Sequence, residues 1–127
     1  MAKIGKAAAT QHEEAPGFEG HYGQAGEYTI GFESYSQDQD PAPLFKGLPN
    51  DRCQCRHWGL VLKGRLIYRY GDGSQDVIEA GEAYYAPPDH TPVFTAGTEV
   101  VEFSPSAELA TTMQVVMKNL EAMGASM

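Results

Sequence analysis

The sequence predicts an all-β protein, a single antiparallel barrel with one helix at its carboxyl end. Three observations support this fold class. The chain has 127 residues, which suits one domain around a single core. Its 14 Gly and 8 Pro residues fall between short apolar runs, as turn residues do between strands. Helical spacing of apolar residues begins only after the last of these runs, so the strands follow one another without helical crossovers and pair mainly antiparallel.

Residues 1–26 are expected to form a loose N-terminal arm, because they are rich in Gly, Ala, Glu and Gln and show little periodicity. Phe18 and Tyr22 are candidates to anchor this arm to the body of the protein or to a partner subunit. His12 and His21 also lie in the arm. Each is interpreted as a solvated or locally hydrogen-bonded histidine rather than as a metal ligand.

The barrel is expected to span residues 27–104. Its first strand is Glu27–Ser36, where aromatic and β-branched residues alternate with polar ones. A loop rich in proline separates it from a central strand over residues 51–64. Tyr84 or Tyr85 faces the interior, but not both, because neighbours on a strand point to opposite faces. The remaining strands lie between turn-forming residues, at 65–70, 75–79, 83–86, 92–95 and 99–103.

A C-terminal helix is expected over residues 105–127, packed on the barrel or at the seam of a dimer. Ser104 and Pro105 suit its start, as a hydroxyl cap and a proline in the first turn, and Gly124 suits its end. A methionine stripe on such a helix is typical of a core or a subunit interface, and an adaptable binding groove is the alternative. The apolar residues at helical spacing are Leu109, Met113, Val116, Met117, Leu120 and Met123.

The central strand carries the side chains with the clearest chemical potential. Cys53, Cys55 and His57 occupy alternate positions, and alternate residues of a strand point to one face. Two thiols and an imidazole in one space are suitable ligands for a transition metal. Buried cysteines that serve only as small hydrophobic residues are the alternative, and the sequence leaves both open. A disulfide is disfavoured, because residues i and i+2 of a strand lie about 6.5–7 Å apart at Cα.

The composition limits the classes of partner. The formal net charge is −8 and the Lys and Arg residues are dispersed, which argues against nucleic acid. No apolar run is long enough to span a bilayer, and no signal peptide is evident. We therefore expect a cytoplasmic protein with reduced thiols that binds a small molecule. We also expect a homodimer, because the methionine-rich helix face and the apolar N-terminal strand offer more apolar surface than one small barrel covers.

From Asp51 onward, two short patterns resemble the two motifs of the cupin superfamily. In the first motif, Gly64 matches the closing glycine. His57 then stands at the position of the family's glutamate. Cys53 stands at the position of its second histidine, and Asp51 at that of its first.

The second motif keeps its framework but changes its ligand position. Gly81 and Pro87 have the spacing that is usual in the family. Asp89 replaces the usual glycine. Pro92 occupies the usual histidine position, and His90 lies two residues earlier.

The resemblance covers residues 44–104 and implies a cupin barrel of the double-stranded β-helix, or jelly-roll, type. The loop Pro87–His90 is similar to that of a subgroup of small single-domain cupins of undefined activity. Cupins commonly bind one divalent metal inside the barrel. The set of nitrogen and sulfur donors favours zinc, with iron, nickel and copper as alternatives, and the implied ligands are Cys53, Cys55, His57 and His90.

Two questions of function stay open in the sequence. Asp51 could serve as a ligand, as a partner for an imidazole or as a general base, and a turn residue is the favoured interpretation. The catalytic residues are unknown. The protein is either a metal-dependent enzyme acting on a small polar molecule or a non-catalytic cupin that binds a ligand or metal as a sensor or structural protein.

Overall fold

Nine β-strands and one α-helix make up the regular structure of residues 3–124, the part of the chain that this computed structural model describes. Short 3₁₀ turns cover Lys6–Ala8, Ala42–Phe45 and Pro49–Asp51. The helix is α1, Ser106–Ala122. The strands are β1 Gln11–Ala15, β2 Phe18–Ala25, β3 Tyr28–Tyr35, β4 His57–Lys63, β5 Arg65–Tyr70, β6 Gln75–Glu79, β7 Ala83–Ala86, β8 His90–Phe94 and β9 Thr98–Pro105.

The strands pair into two antiparallel sheets. One sheet has six strands in the order β1-β2-β3-β9-β4-β7, and the other has three in the order β6-β5-β8. The predicted antiparallel β-barrel with one C-terminal helix is therefore confirmed. Side chains from both sheets form the main core: Tyr35, Val61, Leu66, Tyr68, Ile78, Ala86, Phe94 and Val100.

The N-terminal segment differs from the expected loose arm, since residues 11–25 form β1 and β2. β2 pairs with β3 along its whole length, and this pairing overrides the weak local signal. Gly20 takes an inward position and so hides the apolar alternation of β2 in the sequence. Phe18 packs against the main core and Tyr22 donates a hydrogen bond inside the barrel, so both anchor the segment as predicted.

The central stretch enters its strand later than predicted. β4 begins at His57, and Cys53 instead forms an isolated antiparallel bridge with His90. Residues 54–56 belong to neither ladder, so the alternation expected of a strand does not apply to them. Asp51 accepts a backbone N–H hydrogen bond of 3.0 Å through Oδ1, which agrees with its interpretation as a turn residue.

Helix α1 packs on the barrel through one apolar face and closes a second, smaller core. This core consists of Phe45, Leu48, Cys53, Cys55 and Val116, flanked by Leu44, Leu109, Val115 and Leu120. Asn119 ties the helix to the preceding loop, because its Nδ2 donates to the carbonyls of Leu44 and Lys46 at 2.7 and 2.8 Å.

Helix α1 begins at Ser106, and its methionine side chains are exposed. Pro105 takes the N-cap position, and Ser104 belongs to β9 instead of capping the helix. Met113, Met117 and Met123 are exposed, so the stripe lies outside the core of a single chain. Among residues 3–124, no helix is both long and apolar enough to cross a membrane.

Candidate metal centre

Three side chains with metal-binding atoms meet inside the barrel: Cys53, His57 and His90. The bridge between Cys53 and His90 sets the first and the third, with Cys53 N–H donating to the His90 carbonyl at 2.9 Å and His90 N–H donating back at 3.1 Å. His57 is the first residue of β4. One ligand atom from each residue lies within 4.8 Å of the other two, and all three residues are buried.

Hydrogen bonds orient both imidazoles so that Nε2 is free for a ligand. His90 Nδ1 lies 2.5 Å from the carbonyl oxygen of Pro87, and His57 Nδ1 lies 3.2 Å from a carboxylate oxygen of Glu102. A carbonyl and a carboxylate only accept, so each Nδ1 carries the proton and each Nε2 keeps its lone pair. His57 Nδ1 also lies 2.7 Å from the hydroxyl of Ser104. This is the arrangement by which proteins fix the tautomer of a metal-binding histidine.

The free nitrogen of His90 has no partner in this arrangement. His90 Nε2 is buried and makes no hydrogen bond, and it is the one such side-chain N or O atom among the described residues. The other nitrogen, His57 Nε2, lies 3.6 Å from Cys53 Sγ. A buried acceptor without a partner destabilises a fold by about 1–3 kcal/mol, which a cation among these atoms would remove. Two imidazole nitrogens and one sulfur are a donor set that suits zinc.

Burial keeps the thiol of Cys53 and the imidazole of His90 neutral in the absence of a cation. It raises the pKa of the Cys53 thiol to about 11, although a hydrogen bond with Thr112 works in the other direction. Burial, followed by the proximity of His57, lowers the pKa of His90 to about 4. A bound metal would therefore take up an imidazole already in the required form and displace a proton from a thiol.

Cys55 is not brought into the group of three. Its Sγ lies 3.9 Å from the Nδ1 side of His57 and donates to the carbonyl of Arg56 at 3.3 Å. The side chain belongs to the small core under α1 and its exposed fraction is 1%. Burial raises the pKa of its thiol as well, followed by the proximity of Cys53. Cys55 thus has the surroundings of a small hydrophobic residue, which was the alternative interpretation.

Glu102 was assigned no role from the sequence, although its carboxylate contacts several interior side chains. Its Oε2 accepts hydrogen bonds from the hydroxyl of Tyr68, at 2.6 Å, and from that of Tyr84. In the sheet, Glu102 stands between Gly31 and Gly59 on the neighbouring strands. A Cβ on either glycine would meet a tyrosine ring or hydroxyl at 2.8 or 2.5 Å, so the glycines make room for aromatic side chains beside the carboxylate.

A second carboxylate faces the same interior. Glu33 Oε2 accepts a hydrogen bond of 2.5 Å from the hydroxyl of Tyr22, and Oε1 accepts one of 3.4 Å from that of Tyr35. Burial raises the pKa of Glu33 to about 7, and the nearby Glu102 adds to the effect. The interior therefore holds a carboxyl group that can carry a proton near neutral pH. The sequence carried a signal for Glu102, which interrupts the apolar run of Val100, Val101 and Phe103, but none for Glu33, which falls among the polar positions of its alternating strand.

Positive charge lies outside the barrel. Every lysine from Lys3 to Lys118 is exposed. Arg65 and Arg69 pair with acidic residues on the surface, at 2.8 and 2.9 Å. Tyr84 faces inward whereas Tyr85 is exposed, so the prediction that only one of them lines the interior is confirmed.

Comparison with known proteins supports the fold. No family model and no curated protein matches the chain. Solved structures do match, among them a protein of unknown function from Rhizobium leguminosarum with 22% identity and a TM-score of 0.56, covering 82% of this chain and 95% of that one. An RmlC-like cupin from Shewanella frigidimarina has 18% identity and a TM-score of 0.50, with 76% and 84% covered. KdgF from Halomonas has 12% identity and a TM-score of 0.50, with 75% and 86% covered.

Sequence identities this low support the fold only. The chemistry has to be inferred from the residues of this chain. The two antiparallel sheets of this chain superpose on the RmlC-like cupin among these neighbours over 76% of the chain. The chain therefore has the fold of a small single-domain cupin.

Proposed function

We propose that this protein binds one divalent transition metal through Cys53, His57 and His90, and that a small polar molecule is bound or converted in the barrel interior beside it. The observation that carries this proposal is the partnerless Nε2 of His90, which faces a second imidazole nitrogen and a thiol. A buried lone pair without a partner is rare in folded proteins, and a cation bound among these three atoms would satisfy it.

Zinc is the favoured metal, with iron, nickel and copper as alternatives. The thiol of Cys53 favours a metal that does not oxidise it, since thiolates next to reactive iron–oxygen species are readily oxidised. When bound, zinc would supply Lewis acidity toward an oxygen atom of the ligand. Three protein ligands leave a coordination position open, which is typical of catalytic rather than structural zinc sites.

The residues beside the metal site define the class of small molecule. The interior offers two carboxyl groups, Glu33 and Glu102, and the hydroxyl groups of Tyr22, Tyr68 and Tyr84. Since the lysines from Lys3 to Lys118 are all exposed, none of them faces the interior to hold an anion. The ligand we propose is therefore a neutral or cationic polar molecule. Glu102 holds His57 in place, and Glu33 is the group able to give or take a proton near pH 7.

A non-catalytic cupin that binds metal or ligand is the second candidate. The observation in its favour is that the tyrosine hydroxyls of the interior are already engaged with Glu33 and Glu102. In this case the metal would order the bridge between Cys53 and His90 and have a structural or sensing role. If the metal exchanges but the protein converts no neutral or cationic ligand, the non-catalytic candidate is favoured over the enzyme.

Metal analysis of untagged protein tests the proposal. We expect about one equivalent of tightly held metal, and its loss in His90→Ala and Cys53→Ser. Cys55→Ser is the matched control, because it changes the same residue type in the same buried segment and should keep the metal. With cobalt in place of zinc, a sulfur-to-metal absorption band should appear in the control and vanish in Cys53→Ser. Equal metal content in all four folded proteins would contradict the proposal.

The homodimer and the cytoplasmic location also remain proposals. The exposed side chains of Phe103 and Tyr85 lie on β9 and β7 of the six-stranded sheet. Trp58, on β4 between them, stands in register with both. A second copy of the chain is the partner we propose for this face. Light scattering should give twice the mass of one chain, and Phe103→Glu should lower it; a monomer at micromolar concentration contradicts the dimer. Both cysteines are free and buried, as expected in a reducing compartment.

A further inference from the structure

A second group of metal-binding side chains lies on the outer surface, far along the sheet order from the first. β1 and β2 form a hairpin in which His12 stands directly opposite His21, and Glu14 directly opposite Glu19. Because alternate residues of a strand share a face, the four side chains project from one side of the hairpin. The sequence interpretation treated each histidine by itself and so did not bring them together.

Both imidazoles lie close to one carboxylate. Glu19 Oε2 lies 3.5 Å from His12 Nε2, and Glu19 Oε1 lies 3.3 Å from His21 Nε2. One ligand atom from each of these three residues lies within 4.8 Å of the other two. Glu14 adds a further carboxylate oxygen, 3.3 Å from His12 Nε2.

The packing of the two rings disfavours two protonated histidines side by side. The rings of His12 and His21 are stacked, with centroids 4.4 Å apart and planes 12° from parallel. Two imidazolium rings in this position would repel each other. A divalent ion held by two neutral rings would remove this repulsion, with the carboxylate of Glu19 offsetting its charge. Because the lone pairs of nearly parallel rings do not converge, one of the two partly exposed side chains must change rotamer to reach the ion.

We propose that His12, Glu19 and His21 form a second, solvent-facing site for a divalent transition metal of the zinc, nickel or copper class. The donor set is two imidazole nitrogens and one carboxylate oxygen, with Glu14 beside it as a further oxygen donor. The side chains of His12, Glu19 and His21 are 44%, 43% and 23% exposed, so this ion exchanges with solvent more readily than the buried one. The site connects the edge strand β1 to β2, and a bound ion would strengthen that pairing.

Zinc titration of the untagged, metal-free full chain tests this site. The ring resonances of His12 and His21 should shift together in an NMR titration with zinc ions, separately from those of His57 and His90. Zinc should also slow hydrogen exchange of the β1 amides. Resonances of His12 and His21 that do not respond would show that these residues form ion pairs only, and the proposal would be overturned.

Variants provide an independent measurement by calorimetry. His12→Asn and His21→Asn should each lower zinc affinity at this site by roughly tenfold or more, because two protein ligands remain. Glu13→Gln is the matched control, since Glu13 lies on the same strand with its side chain on the opposite face. Unchanged zinc binding in the histidine variants would contradict the site. Binding at Cys53, His57 and His90 is read from the other two histidines, so failure of one site is distinguishable from failure of the other.

Discussion

Acid should destabilise the metal-free protein through His90, and the size of the effect follows from its burial. The pKa of His90 falls from 6.5 to about 4, mainly because the ring is buried and then because His57 is close. Between these two values the unfolded chain binds a proton that the folded chain does not. Stability is therefore lost as the pH is lowered from 6.5 to 4, and the full difference corresponds to roughly 3 kcal/mol at about 1.4 kcal/mol per pKa unit.

The measurement is urea unfolding of metal-free wild type and of His90→Gln at pH 7.5, 6, 5 and 4, followed by the fluorescence of Trp58. Glutamine does not titrate, so groups that titrate in both proteins cancel when the two free energies of unfolding are subtracted. The difference should change by roughly 3 kcal/mol between pH 7.5 and 4, with the wild type losing more. If the two proteins lose stability in parallel over this range, His90 is not a buried neutral histidine and the reasoning is refuted.

Three further predictions concern the barrel interior and the loop before β8. Burial raises the pKa of Glu33 from 4.5 to about 7. Between these values the folded chain holds a proton that the unfolded chain has lost, so stability falls as the pH rises through this range. Glu33→Gln should therefore be more stable than the wild type at pH 8, as measured by urea unfolding. Gly59→Ala should lower the free energy of unfolding by about 1–3 kcal/mol, because a Cβ would lie 2.5 Å from the hydroxyl of Tyr84. Gly5→Ala is the control: its Cβ would meet nothing within 4 Å, so the melting temperature should not change. Asp89 has a φ of 75°, so Asp89→Ala should lower the free energy of unfolding by about 1 kcal/mol or more. Asparagine tolerates this conformation and keeps Oδ1, so Asp89→Asn should have a melting temperature near that of the wild type.

The turns that frame the barrel could be predicted from the sequence, because turns depend on local conformation. Gly64 and Gly81 have φ of 77° and 89°, values that glycine adopts without strain, and each lies at a turn that the sequence located. Asp89 has a φ of 75°, a left-handed conformation at the position where the motif it resembles has glycine. The motif positions also named His57 and His90 as candidate ligands, and the fold brings their ring centroids to 5.0 Å.

Which cysteine lies beside His57 and His90 could not be predicted from the sequence. Spacing treated Cys53 and Cys55 alike, because both were assigned to one continuous strand. In the fold, a backbone bridge to His90 places Cys53 beside the imidazoles, and the irregular segment that follows turns Cys55 toward the helix. A contact between residues far apart in the chain leaves no periodic signal in either segment.

The surroundings of the site were likewise decided by sheet register. Glu102 meets His57 because β9 lies between β3 and β4, an order that no local pattern contains. His12 meets His21 because β1 and β2 pair in one register out of several. Local propensity therefore accounts for turns and strands, whereas the two groups of candidate metal ligands depend on strand order and register, which are set by the burial of the whole core.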